Sequence, residues 1–260
     1  MRSANEGPVT LSQPGSVTDL VDDLREQLAE AGDPGRAPQM QAYMKSAMPF
    51  RGVSAQPLKV ICRRVLDDHP LPDRSAWERA VRTLWDEAAF REERYAALAV
   101  AGHRRYRAFQ DSSTLELYRH LVVTGAWWDL VDDIAVHRVG PVLRSHPLTV
   151  SSSMRAWACD EDMWLRRTAV LCQLASKAAT DTALLDEVLA ANLEGSLYGR
   201  QFFIRKAVGW ALREYAKTDP AWVLAFVEEH DSELSGLARR EALKHLKPPG
   251  RDDAAGPARS

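Results

Sequence analysis

The 260-residue sequence predicts an all-α fold built from repeated helix pairs. Three observations predict it. Apolar residues recur at helical spacing through almost every segment between residues 16 and 247. Strand-like alternation is confined to a few residues such as Leu148 and Val150. A short block also recurs, as Arg94-Tyr95-Ala96-Ala97-Leu98, Arg166-Arg167-Thr168-Ala169-Val170, Arg205-Lys206-Ala207-Val208 and Arg239-Arg240-Glu241-Ala242-Leu243.

Taken in order, Ser16 followed by Asp19 is a capping signature, and Leu20, Val21, Leu24 and Leu28 follow it until Gly32. Asp73 opens a helix carrying Trp77, Val81, Leu84 and Trp85. Ser112 or Ser113 opens another with Leu115, Leu117, Tyr118, Leu121 and Val122. Further helices are predicted near 161–175, 180–192, 200–217, 219–229 and 233–246. Residues 1–15 and 248–260 are rich in Gly, Pro and Ser and read as disordered tails, leaving 16–247 as a single repeat domain. The four blocks start at 94, 166, 205 and 239, which lie 72, 39 and 34 positions apart. The gap of 72 holds one intermediate unit, where Trp127-Trp128-Asp129 lies. A period of about 36 with two helices per unit is the mark of a HEAT-like solenoid. Such units stack and leave an extended concave face.

Composition excludes several classes. The chain is 45% hydrophobic and 27% charged, as in ordinary soluble domains. No apolar run approaches a membrane span, and the N-terminus lacks a signal-peptide core, so a cytoplasmic, nucleoid-associated protein is expected. Cys62, Cys159 and Cys172 form no ligand cluster and read as small core residues. With no P-loop, HExxH or GxSxG, neither metal nor cofactor is expected. His137 and His146 read as surface or phosphate contacts rather than ligands.

The net charge of −2 argues weakly against nucleic acid, but distribution outweighs the total. The basic pairs Arg166/Arg167, Arg205/Lys206 and Arg239/Arg240 fall at equivalent helix starts, so a stack aligns them into a track for a phosphate backbone. The compensating acids, Asp219, Glu228, Glu229, Asp231 and Glu233, are expected elsewhere.

Side-chain phase sorts the candidate site. Read as one helix, Trp127 lines up with Leu130, Val131 and Ile134, a core stripe. Trp128 lines up with Asp132, four residues on. Spacing alone leaves that pair open between a half-buried surface and a site. Leu165, Thr168, Ala169 and Cys172 make a buried stripe that leaves Arg166 and Arg167 off the core. Trp210 lies between Lys206 and Arg213, either as a base-and-phosphate contact or as an aromatic covered by basic stems.

Several ordered blocks resemble the AlkD family of bacterial DNA alkylation repair glycosylases over about 40–246. They are Ala42-Tyr43-Met44-Lys45 with Pro49-Phe50-x-Gly52, then Trp127-Trp128-Asp129-x-Val131-Asp132, then Trp164-Leu165-Arg166-Arg167-Thr168-Ala169, and finally Phe202-Phe203-Ile204-Arg205-Lys206-Ala207-x-Gly209-Trp210 running into Arg213-Glu214-Tyr215. The resemblance implies a monomeric HEAT-like solenoid that cradles duplex DNA in its concave face. It implies hydrolysis of the N-glycosidic bond of cationic alkylpurines, 3-methyladenine and 7-methylguanine, with bulky N3 and N7 adducts as further candidates. It also implies Asp132 as catalytic carboxylate, Trp128 and Trp210 lining the site, and Arg167 on a phosphate. Arg166, Arg205, Lys206, Arg213, Arg239, Arg240, Tyr43 and Lys45 are the expected DNA contacts, although the spacing of Tyr43 with Met40, Met44 and Ala47 suits the core equally. Two other readings stand beside this one: a non-catalytic DNA-binding module, and a protein-interaction scaffold with an apolar or acidic face.

Overall fold

The structure, a computed structural model, describes residues 16–246, so the expected tails at 1–15 and 248–260 lie outside the described residues. Among the described residues every regular element is helical, and they group into two compact units that divide after Gln110.

In the first unit, α1 (Val17–Glu30) starts where the Ser16 hydroxyl accepts the Asp19 amide at 3.0 Å. It buries Leu20, Val21, Leu24 and Leu28 against α3 (Ala55–Asp68), α4 (Arg74–Asp86) and α5 (Arg91–Ala101). Asp73 caps α4 by accepting the Ala76 amide at 2.7 Å, and Trp77, Val81, Leu84 and Trp85 fill the core. The short helix α2 (Ala37–Met44) is followed by the Pro49–Val53 segment, which two buried acids of α5 pin in place. The Glu92 carboxylate accepts the amides of Arg51, Gly52 and Val53 at 3.0, 2.9 and 3.1 Å. Glu93 pairs with Arg25 at 3.1 Å and Arg51 at 3.3 Å. Gly52 has φ +89°, and a Cβ there would lie 2.1 Å from the Asp33 carbonyl oxygen.

In the second unit, Asp111 and Thr114 cap a 3₁₀ turn (Ser112–Thr114) that leads into α6 (Leu115–Gly125). The helix expected to open at Ser112 or Ser113 therefore begins as this tighter turn. Next come α7 (Trp128–Ile134), a π-helical turn (Ala135–Val139), α8 (Gly140–Ser145) and α9 (Pro147–Ala158). Leu148 and Val150, the residues with strand-like spacing, lie on α9. Then follow α10 (Met163–Leu171), α11 (Thr182–Ala190), α12 (Phe202–Tyr215), α13 (Pro220–Glu229) and α14 (Gly236–Ala242). Helix α10 is central, packing against α6, α7, α9, α11 and α12, while α12 packs on α14.

The repeat read from the sequence appears here as a register. Helices α5, α10, α12 and α14 begin at Arg91, Met163, Phe202 and Gly236, so Arg94, Arg166, Arg205 and Arg239 are each the fourth residue. The intermediate unit supplies α7, whose fifth residue is Asp132. Within the second unit, the fifth position therefore carries Asp132, Arg167, Lys206 and Arg240 in turn. One expectation about cysteine fails. Cys62 and Cys172 are buried, with thiols that burial pushes up to about 12, but Cys159 is exposed.

Candidate active site

Helix α10 sets the phase of the site. The Asp162 carboxylate caps it, accepting the Trp164 and Leu165 amides at 2.8 and 3.0 Å. From the second turn Arg167 reaches α7. Its Nε donates to Asp132 Oδ1 at 2.7 Å and its Nη2 to Asp132 Oδ2 at 2.8 Å. This is a bidentate fork with both side chains largely withdrawn from water, Arg167 6% and Asp132 14% exposed. The remaining terminal nitrogen, Nη1, donates to the Phe203 carbonyl at the start of α12, and the guanidinium carbon lies 5.9 Å from the Phe203 ring centre. Removing either partner of such a pair leaves a buried charge uncompensated, a cost of about 3–5 kcal/mol.

Aromatic rings keep this corner dry. Phe203 meets Trp164 at 5.1 Å and Trp127 at 5.6 Å between centroids, and Trp127 meets Trp164 at 6.2 Å. Burial raises the pKa of Asp132 above the ordinary aspartate value. The hydrogen bonds and charge of Arg167 oppose that rise, and the charge of Asp129 adds to it.

Trp128 is half-buried at the first position of α7, one turn before Asp132 and on the same helix face. Trp210 is half-buried on α12, two turns after Phe203 and so on the face that holds Arg167. The structure thus joins Asp132 to Arg167 directly and places the two tryptophans on α7 and α12, both packed against α10.

Several expected positions are corrected. Trp127 is not on the α7 stripe. Ala126 takes a left-handed conformation (φ +39°) that ends α6, and Trp127 is extended (φ −151°) ahead of α7, with its indole nitrogen buried and unpartnered. Arg166 is not off the core. It is 6% exposed and donates to the carbonyls of Asp160, Ala191 and Cys159 at 2.6, 3.3 and 2.9 Å, bracing α10 against two loops. Arg167 is likewise buried. Nor do all the compensating acids lie elsewhere. Lys206 pairs with Glu241 at 3.0 Å, Arg213 shares that carboxylate, and Arg239 is bonded to Asp231. Arg205 is half-buried, with its Nε unpartnered, and Arg240 is exposed. In the first unit, Tyr43 is 78% exposed, which removes the core reading, and Lys45 is exposed at the end of α2. His137 is exposed, His146 is half-buried, and no metal-holding group of His, Cys, Asp and Glu exists among the described residues.

Sequence reasoning missed Phe203 and Glu241. Phe203 acts through its backbone carbonyl, which no side-chain pattern reveals. Glu241 sits inside the fourth repeat block, one position after its basic pair.

Residues 24–246 match the family described as DNA alkylation repair enzyme. The chain belongs to that family. A solved structure of a predicted DNA alkylation repair enzyme from Enterococcus faecalis is 30% identical to this repair-family chain, with a TM-score of 0.72, covering 83% of this chain and 96% of that one. A comparison with curated proteins returns no match. The alkylation repair enzyme described here has no helix among its described residues that is long and apolar enough to cross a membrane.

Proposed function

We propose that the chain is a DNA glycosylase that hydrolyses the N-glycosidic bond of cationic alkylpurines in duplex DNA. One observation carries the reading: a desolvated carboxylate, Asp132, is held in a fixed orientation by the Arg167 fork.

The chemistry needs little more. Cleavage of a sugar–base bond passes through an oxocarbenium-like state, and most glycosidases use two carboxyls for it, one of them to protonate the leaving group. An alkylated purine is already positive and leaves as a neutral base, so it needs no acid. Asp132 stabilises the positive sugar and orients the attacking water. Arg167 holds the carboxylate. Its guanidinium carries five N–H donors, of which three are engaged with Asp132 and Phe203, leaving two for a substrate phosphate. Trp128 and Trp210 contact the deoxyribose from the flanking helices, where their electron-rich faces favour developing positive charge.

The direct test is mass spectrometry of bases released from methylated duplex DNA. Wild type releases 3-methyladenine or 7-methylguanine, and Asp132→Asn lowers the single-turnover rate about 10²–10³-fold. Near-normal release by a folded Asp132→Asn protein overturns the assignment.

A further inference from the structure

The first unit carries a cationic turn of its own. Residues Arg104–Phe109 form a 3₁₀ turn after α5. Two aromatic side chains hold it down. Tyr106 is 1% exposed, and its hydroxyl accepts the Leu71 amide at 3.0 Å. Its ring stacks on Phe109 at 5.9 Å with an interplanar angle of 11°, and Phe109 meets Trp77 at 6.2 Å. With those anchors turned inward, Arg104, Arg105 and Arg107 are all exposed. Arg105 lies 3.6 Å from Asp67, while Arg104 and Arg107 meet no acidic group among the described residues.

Three like charges in four positions repel one another, so they do not stabilise the turn. Burial of Tyr106 and Phe109 does that, and it fixes the backbone that presents the arginines. A fixed backbone lowers the ordering cost of binding an anion. Chemistry narrows the partner. Arg104 and Arg107 stand on either side of a kink at Tyr106 (φ −100°, ψ 16°), three positions apart on one exposed turn. Duplex DNA presents a regular row of phosphates along each strand, which neighbouring cations can engage together. Guanidinium forks fit phosphate oxygens, and the turn offers no apolar or amide group between them for reading bases.

We propose that Arg104 and Arg107, with Arg105 beside them, form a phosphate-backbone contact for duplex DNA on the first unit, one that is independent of sequence. This rests on the reading that the chain acts on duplex DNA.

The experiment is a salt titration of binding to a 20-base-pair duplex, alongside base release from the same duplex after methylation. Each lost phosphate contact reduces the log–log salt slope by about 0.9. Arg104→Ala/Arg107→Ala is therefore expected to lower the slope by about 1.8 and to weaken binding more than about tenfold at 0.1 M salt. Arg79→Ala/Arg82→Ala on α4 removes equal charge from the same unit and serves as the control for bulk charge. Arg104→Lys/Arg107→Lys is expected to restore most of the slope. A double-alanine slope equal to wild type, or to the α4 control, overturns the proposal. So does restored binding to an RNA hairpin or an acidic protein in place of duplex DNA. If the slopes move as expected and wild type releases no base, the glycosylase reading fails and the turn stands. A wild type that binds no duplex overturns both.

Discussion

Asp132 is subject to two opposing effects, and their balance is measurable. Burial favours its neutral form, while the Arg167 fork favours the carboxylate. Only the carboxylate can stabilise a cationic sugar. Base release should therefore fall with falling pH as Asp132 is protonated, with a midpoint above the ordinary aspartate value of 3.8. Removing Arg167 deletes the contributions that hold the pKa down, so Arg167→Ala should move the midpoint further up. Arg167→Lys keeps the charge but loses the fork, and should fall between the two. The readout is single-turnover release against pH, with spontaneous depurination subtracted and folding checked by thermal melting. A midpoint that stays put in both variants would sink the claim that Arg167 tunes the carboxylate, even if both variants were slow.

At the scale of elements, the helix register explains why these two residues meet. Asp132 and Arg167 hold the same position, the fifth, on α7 and α10, which pack against each other. A carboxylate therefore stands where the neighbouring repeats place a cation. The recurring blocks make the register of Arg166/Arg167, Arg205/Lys206 and Arg239/Arg240 legible in the sequence, while the place of Asp132 in it appears only with the start of α7 at Trp128. The fate of Arg166 was not legible. Neighbouring residues on a helix differ by about 100°, and both arginines lie off the apolar stripe. What separates them is a set of loop carbonyls at Cys159, Asp160 and Ala191, brought in by tertiary packing. Reading one continuous helix through Trp127 misplaces it, because the left-handed Ala126 separates α6 from α7. The Pro49–Val53 segment is a case where a motif residue has a local cause. Gly52→Ala forces a Cβ into the Asp33 carbonyl at positive φ, and should cost about 1–3 kcal/mol. Urea unfolding measures this, and a cost within error of zero would show that the segment shifts freely despite the three amides held by Glu92.

At the scale of the molecule, the sequence holds 34 basic and 36 acidic residues, and where the acids sit matters more than the near-zero sum. The basic pairs expected to form a track share a helix register, but Arg166 and Arg167 are buried and Lys206 and Arg239 are held by acids. Glu241 on α14 holds both Lys206 and Arg213 of α12. Those contacts keep its own pKa below the ordinary glutamate value, with the Lys206 hydrogen bond the largest cause. The carboxylate is therefore ionised at neutral pH and competes there with any phosphate that approaches α12. Glu241→Gln removes that competitor while keeping nearly the same shape. Duplex binding should strengthen, and the salt slope should steepen by about 0.9 for each cation released, up to about 1.8. The gain should shrink as pH falls below the ordinary glutamate range, because wild-type Glu241 then loses its own charge. Unchanged affinity and slope at neutral pH would mean that Lys206 and Arg213 serve only to tie α12 to α14. A lower melting temperature with unchanged binding would make the same point from the side of stability.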